Sequence, residues 1–175
     1  SSGESLIRQL MLGKKYFKDN FGIDSKILWL PDVFGYAAAL PQILRKSEVD
    51  WFVTSKIGWN DINTMPYDTS KWYGIDGTGI NTQFITAQQE KKGRVPEREC
   101  MYIPDATVAF VDGAWNRYQQ KSLHNESLVT FGWGDGGGGV DTEMLEYAKR
   151  YKSFSTAKHL SAVKAFFRIN AAATL

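Results

Sequence analysis

The 175 residues, 43% hydrophobic and 23% charged, have the composition of an ordinary globular chain and not of a disordered one. The formal net charge of +2 is spread over interleaved Lys, Arg, Asp and Glu, so no basic block is available to track a phosphate backbone, and nucleic acid is set aside as a partner. No apolar run approaches the roughly 20 residues that cross a bilayer, which sets the membrane aside, and the single Cys100 allows no internal disulfide and points to a reducing, cytoplasmic setting.

Ser1-Ser2-Gly3-Glu4 reads as a capping box ahead of a helix that carries Leu6, Leu10, Phe17 and Phe21 on one face and stops at Phe21-Gly22. Lys26 to Leu30 is a short apolar strand ended by Pro31, and Leu40 to Lys46 resumes as a helix with Pro41 in its first turn. Trp51 to Ser55 is a second strand, entering a loop rich in Asn, Asp and Pro from Gly58 to Asp68. Trp72 to Ile75, then Asp76-Gly77, then Ile80 to Ile85 predicts a hairpin, read as an insertion placed over a site. Gln88 to Arg98, with charges of both signs and no periodicity, predicts an exposed loop. Asp105 is a candidate cap for a helix with Val108, Val111, Trp115 and Tyr118 in its stripe. Leu128 to Phe131 is the third short strand, and it leads into Gly132-Trp133-Gly134-Asp135 and four consecutive glycines. Asp141 or Thr142 then caps a helix to about Tyr151, and Ser155 caps another, with Leu160, Val163 and Phe167 on its face.

Strands alternating with helices predict an α/β fold of parallel βα units, whose reactive groups sit on loops leaving the C-terminal ends of the strands. Three or four strands do not close a barrel, and a complete α/β barrel takes about 250 residues. Residues 1–175 are therefore expected to be part of a larger domain, with open strand edges that favour association between copies into a homo-oligomer.

Two loops at strand ends carry carboxylates. Asp32, in Leu30-Pro31-Asp32-Val33-Phe34-Gly35, suits a nucleophile or a metal ligand; the alternative is a turn aspartate bonded to its own backbone. Asp135 lies in Trp133-Gly134-Asp135-Gly136-Gly137-Gly138-Gly139, where glycines permit close approach to a ligand; the alternative is a tightly curved connection. A phosphate cradle of the Walker type would end in Lys and Ser or Thr, whereas Val140-Asp141-Thr142 follows here, so a nucleotide-binding reading is the weaker one. Two carboxylates at neighbouring strand ends are what glycoside hydrolysis uses, one attacking the anomeric carbon and one protonating the departing oxygen. Thr54, Lys56 and Trp59 follow the second strand and are candidates to meet sugar hydroxyls or steady Asp32; Trp133 adds a ring beside Asp135. Six Trp, eight Tyr and ten Phe exceed the needs of a small core, and a carbohydrate site is one outlet for them. A non-catalytic carbohydrate-binding protein would use the same platform. His124 and His159, both expected on helices, have no partner at metal-ligand spacing.

Leu28-Trp29-Leu30-Pro31-Asp32-Val33-Phe34-Gly35-Tyr36, Leu40-Pro41-Gln42-Ile43-Leu44, Gly74-Ile75-Asp76-Gly77-Thr78 and Phe131-Gly132-Trp133-Gly134-Asp135-Gly136-Gly137-Gly138-Gly139 stand in order at consistent spacing. Together they resemble glycoside hydrolase family 38, the zinc-dependent retaining α-mannosidases, and in particular its bacterial and cytosolic branch. The resemblance implies a barrel of seven parallel strands with zinc at their C-terminal ends and α-mannoside oligosaccharides as substrates. It implies that Asp32 both attacks the sugar and binds zinc, that Phe34 packs on the mannose ring, and that Asp135 is the acid/base. It also implies two zinc ligands, a His and an Asp, from a strand before Ser1 and a His from beyond Leu175. Ser70-Lys71, where the family usually has aromatic residues, and Val140, where it usually has proline, depart from the pattern.

Overall fold

The computed structural model describes residues 2–60, 62–63, 65–86, 101–103, 105–133 and 138–151. The expected loop from Gln88, the helix from Ser155, Cys100, His159 and Asp135 all lie outside the described residues.

Helix α1 spans Gly3–Phe21; its N-cap is Ser2, whose hydroxyl accepts from the Ser5 amide, so the cap sits one residue later than the Ser1–Glu4 box predicts. Strand β1 (Ile27–Leu30) leads through the Asp32 loop to α2 (Leu40–Lys46), with Pro41 at the start of the helix, where a missing amide hydrogen costs nothing. Strand β2 (Trp51–Thr54) runs into a short 3-10 turn, Lys56–Gly58. Strands β3 (Thr69–Tyr73) and β4 (Gly79–Phe84) flank the Asp76-Gly77 turn, where Gly77 takes a φ of 79°. Helices α3 (Val108–Arg117) and α4 (Thr142–Tyr151) complete the described elements.

The sheet has the order β1-β2-β4-β3, with β1, β2 and β4 parallel and β3 antiparallel on the edge. The hairpin is thus no insertion over a site. Its second strand continues the parallel sheet, pairing Thr54 with Phe84 beside β2, because β4 alternates buried Ile80 and Thr82 with residues of the opposite face. Period-two alternation also decides the layers: Leu28, Phe52 and Ile80 meet Leu10 of α1 and Leu40 and Leu44 of α2, whereas Val53 and Ile85 on the other face meet Ala114 of α3 and Leu128. Burying a side chain of this size contributes roughly 1.5–3 kcal/mol, so two such faces specify the register.

Four further expectations are corrected. Residues 128–131 form no strand; the free edge of β4 is already taken by β3, and the segment is held instead by buried Leu128, Thr130 and Phe131. Of the expected stripe of α3, Tyr118 is buried at the C-cap, but Val108 is exposed and the buried helical positions are Phe110 and Ala114; Asp105 accepts from the Thr107 amide ahead of the helix, leaving Thr107 as the N-cap. His124 lies in the turn after α3 and not on a helix. Among the described residues no helix is long and apolar enough to cross a membrane.

The joint between α1 and the sheet is ionic. Lys14 of α1 reaches Asp24 at 2.8 Å and donates to the Ser25 carbonyl at 2.9 Å, while Lys26 meets the other Asp24 oxygen at 2.6 Å. Hydrogen bonds from Lys14 and then Lys26 bring the Asp24 carboxyl down to about 2 from 3.8. Because the folded value lies below the unfolded one, this stabilisation is complete above about pH 4 and is lost as pH falls through about 2. Asp24→Asn is therefore expected to flatten the acid limb of thermal stability between those values, with a modest effect because the carboxylate is about half exposed to solvent and salt. Melting temperature measured against pH checks it; an unchanged acid limb would count against the ionic joint.

Candidate active site

Leaving β1, the chain turns at Pro31 and Asp32, and this turn is fastened to the end of β2 from several sides. The Ser55 hydroxyl donates to the Pro31 carbonyl at 2.5 Å, and the Lys56 amide donates to the same oxygen at 3.3 Å. The Tyr36 hydroxyl reaches the carbonyls of Leu30 and Val33 at 3.0 and 3.2 Å and shares a hydrogen bond of 2.6 Å with fully buried Thr54. Burial pushes the Tyr36 phenol up, so it stays a neutral hydrogen-bonding group. Fully buried Thr54 therefore braces the loop through Tyr36 and does not face a sugar from solvent.

Asp32 emerges from this braced turn with its side chain about half exposed. Lys56 Nζ lies 3.1 Å from Asp32 Oδ1, and the Tyr102 hydroxyl donates to Asp32 Oδ2 over 3.3 Å. The Lys56 side chain is only 13% exposed because its ammonium sits over the Trp59 ring at 3.7 Å from the centroid, with the Phe34 centroid 5.6 Å away. Such a cation on an aromatic face is worth roughly 0.5–2 kcal/mol, which holds a normally mobile side chain in one place. Phe34 and Trp59 meet edge to face at 6.0 Å, and Phe34 remains 64% exposed. The result is a carboxylate with a fixed cation on one oxygen and an open aromatic ring beside it. An apolar sugar face can lie on such a ring while the carboxylate approaches a neighbouring carbon.

The glycine loop is pinned at its neck. The Trp133 amide donates to the Gly139 carbonyl at 2.9 Å, and the Trp133 indole donates to Asp141 Oδ2 at 2.8 Å. Asp141 Oδ1 accepts from the Met144 amide at 2.8 Å, so one side chain caps α4 and closes the loop. These bonds, the Met144 amide first and Trp133 second, hold the Asp141 carboxyl below the ordinary range. A Cβ at position 138 would stand 2.7 Å from Trp133 Cβ, so this closure needs glycine there. Trp133 is 53% exposed at the neck.

Of the residues singled out in the sequence, Asp32, Phe34, Lys56 and Trp59 come together in one cluster, Trp133 stands at the loop neck, and Asp135 falls outside the described residues. Sequence reasoning missed Tyr36 as the clamp, although it stands within the Asp32 motif, and Tyr102, which is 70 residues from Asp32 and has no local signal. Among the described residues no three His, Cys, Asp or Glu side chains gather into a possible metal site, and Asp32, the one implied ligand, already has both oxygens engaged by Lys56 and Tyr102. One such carboxylate does not by itself hold zinc, which takes three or four protein ligands.

The profile described as "Glycosyl hydrolases family 38 N-terminal domain" matches residues 1–173. An alpha-mannosidase of Saccharomyces cerevisiae is 37% identical over 154 residues, covering 88% of this chain and 13% of the relative. Alpha-mannosidase G of Dictyostelium discoideum is 37% identical over 83% of the chain and 12% of its own length, and human alpha-mannosidase 2C1 is 35% identical over 85% and 13%. The chain thus spans about an eighth of the length of these relatives. The chain belongs to glycosyl hydrolase family 38, within its N-terminal domain.

Proposed function

We propose that these residues form part of the catalytic domain of a retaining α-mannosidase, in which the four-stranded sheet is one arc of a seven-stranded α/β barrel. The observation that carries the reading is the Asp32 carboxylate, braced at a strand end, held by Lys56 and set beside the exposed Phe34 ring. The names of the relatives support α-mannosides as substrates.

Asp32 attacks the anomeric carbon as the bond to the leaving oxygen breaks, and Asp135 gives its proton to that oxygen. The sugar is then an ester of Asp32. Asp135, now ionised, takes a proton from water, the water oxygen bonds the anomeric carbon, and Asp32 is released as carboxylate. Phe34 and Trp59 orient the sugar, Lys56 holds the nucleophile, and Trp133 lines the side of the acid/base. Support for bringing the carboxylates together comes from the Thr130 hydroxyl, which donates to the Tyr102 carbonyl while the Tyr102 hydroxyl reaches Asp32. Asp135 stands five positions after Thr130 along the chain, a reach of up to ~18 Å, and retention calls for carboxylates roughly 5–5.5 Å apart.

Zinc would bind Asp32 only together with ligands from outside the described residues and would stabilise charge on the sugar. The 175 residues alone are accordingly expected to bind no zinc and to turn over no mannoside. The single Cys100 supports a reducing, cytoplasmic setting, and the β1 and β3 edges, unpaired among the described residues, support contact with further chain or a second copy.

Product stereochemistry tests the reading. Proton NMR of the full polypeptide acting on an aryl α-mannoside is expected to show α-mannose before mutarotation. Initial β-mannose would remove the covalent intermediate, and saturable binding without hydrolysis would leave a carbohydrate-binding protein.

A further inference from the structure

We infer that Tyr102 is a positioning residue that sets the plane of the Asp32 carboxylate and ties it to the root of the glycine loop; this rests on Asp32 being the nucleophile. The terminal torsion of an aspartate is broad, so the single contact from Lys56 to Oδ1 anchors the group without fixing its rotation. A second donor on the other oxygen fixes it, and Tyr102 supplies that donor. At 3.3 Å the bond is longer than an ordinary hydroxyl–carboxylate contact, as contacts in a free active site commonly are before substrate tightens them.

Tyr102 is suited to this role because the rest of it is held. Its ring packs against the Val53, Ile85, Ala114 and Leu128 cluster beneath the sheet, and its carbonyl accepts the Thr130 hydroxyl at 2.8 Å. Thr130 is 1% exposed and stands just before Phe131-Gly132-Trp133, the stem of the glycine loop. The Asp32 turn and the stem of the loop that carries Asp135 thus share Tyr102, through its hydroxyl on one side and its carbonyl on the other. A displacement of the stem reaches the Asp32 carboxylate through one residue.

Tyr102→Phe removes the hydroxyl and keeps the ring in the core. In the full polypeptide it is expected to lower kcat on an aryl α-mannoside roughly tenfold, with KM within about twofold and an unchanged melting temperature. Thr130→Val, which removes the tether at nearly constant volume, is expected to lower kcat about threefold in the same pattern. Unchanged kcat in Tyr102→Phe overturns the role, as does a loss of kcat accompanied by a falling melting temperature, which marks a structural part only. Raised KM with kcat kept assigns the hydroxyl to substrate and also overturns it. Asp32→Ala separates the two readings: full turnover there removes the nucleophile, whereas an inactive Asp32→Ala beside an unimpaired Tyr102→Phe removes only the positioning role.

Discussion

Asp32→Asn in the full polypeptide is expected to reduce kcat on aryl α-mannosides by about 10⁴-fold, close to 5.5 kcal/mol of transition-state stabilisation. The amide is nearly the same size, so the brace from Ser55, Tyr36 and Thr54, which acts on the backbone of the loop, is left intact. What disappears is a nucleophilic oxygen and the charge that Lys56 faces. Circular dichroism should therefore match the parent protein, and steady-state kinetics with an activated aryl mannoside supplies the readout. Activity within tenfold of the parent would show that Asp32 is the turn aspartate its sequence context also allows.

Asp135→Asn is expected to behave differently according to the leaving group. With a basic leaving group, cleavage needs a proton, and kcat should fall roughly 10²–10³-fold. With a strongly acidic leaving group such as dinitrophenolate, bond cleavage needs no proton, and the first step should be nearly spared while release of the ester slows. Azide, which attacks without base assistance, should then speed turnover and yield a mannosyl azide. Equal losses on both leaving groups, with no response to azide, would assign Asp135 to the curved connection that its glycines also suit.

The two variants probe residues that became readable in unlike ways. Asp32 was legible because its surroundings are local: an apolar strand, Pro31 to end it, and an aromatic ring two positions on. The same local rules located α1 through its Ser2 cap and Gly22 stop, α2 through Pro41 in its first turn, and α4 through Asp141 at its start. They misjudged the hairpin, because a tight turn identifies two antiparallel strands and says nothing of which outer edge finds a partner. They also misjudged residues 128–131, whose apolar alternation suits a strand but whose backbone found no ladder beside β4.

For the site, residue type and order in the sequence determined the family, the carboxylate at the end of β1, and the aromatic and cationic candidates that follow β2. Only the tertiary structure decided which of them meet. Parallel pairing of Leu30 with Thr54 brings the ends of β1 and β2 side by side, which sets Lys56 on Asp32 and Trp59 beneath Lys56 and turns Thr54 inward to Tyr36. The contact from Tyr102 joins residues 70 positions apart in the chain. Periodicity records which face of an element is apolar; which distant side chain completes a carboxylate's surroundings is set by strand order and packing, and these depend on the whole chain at once.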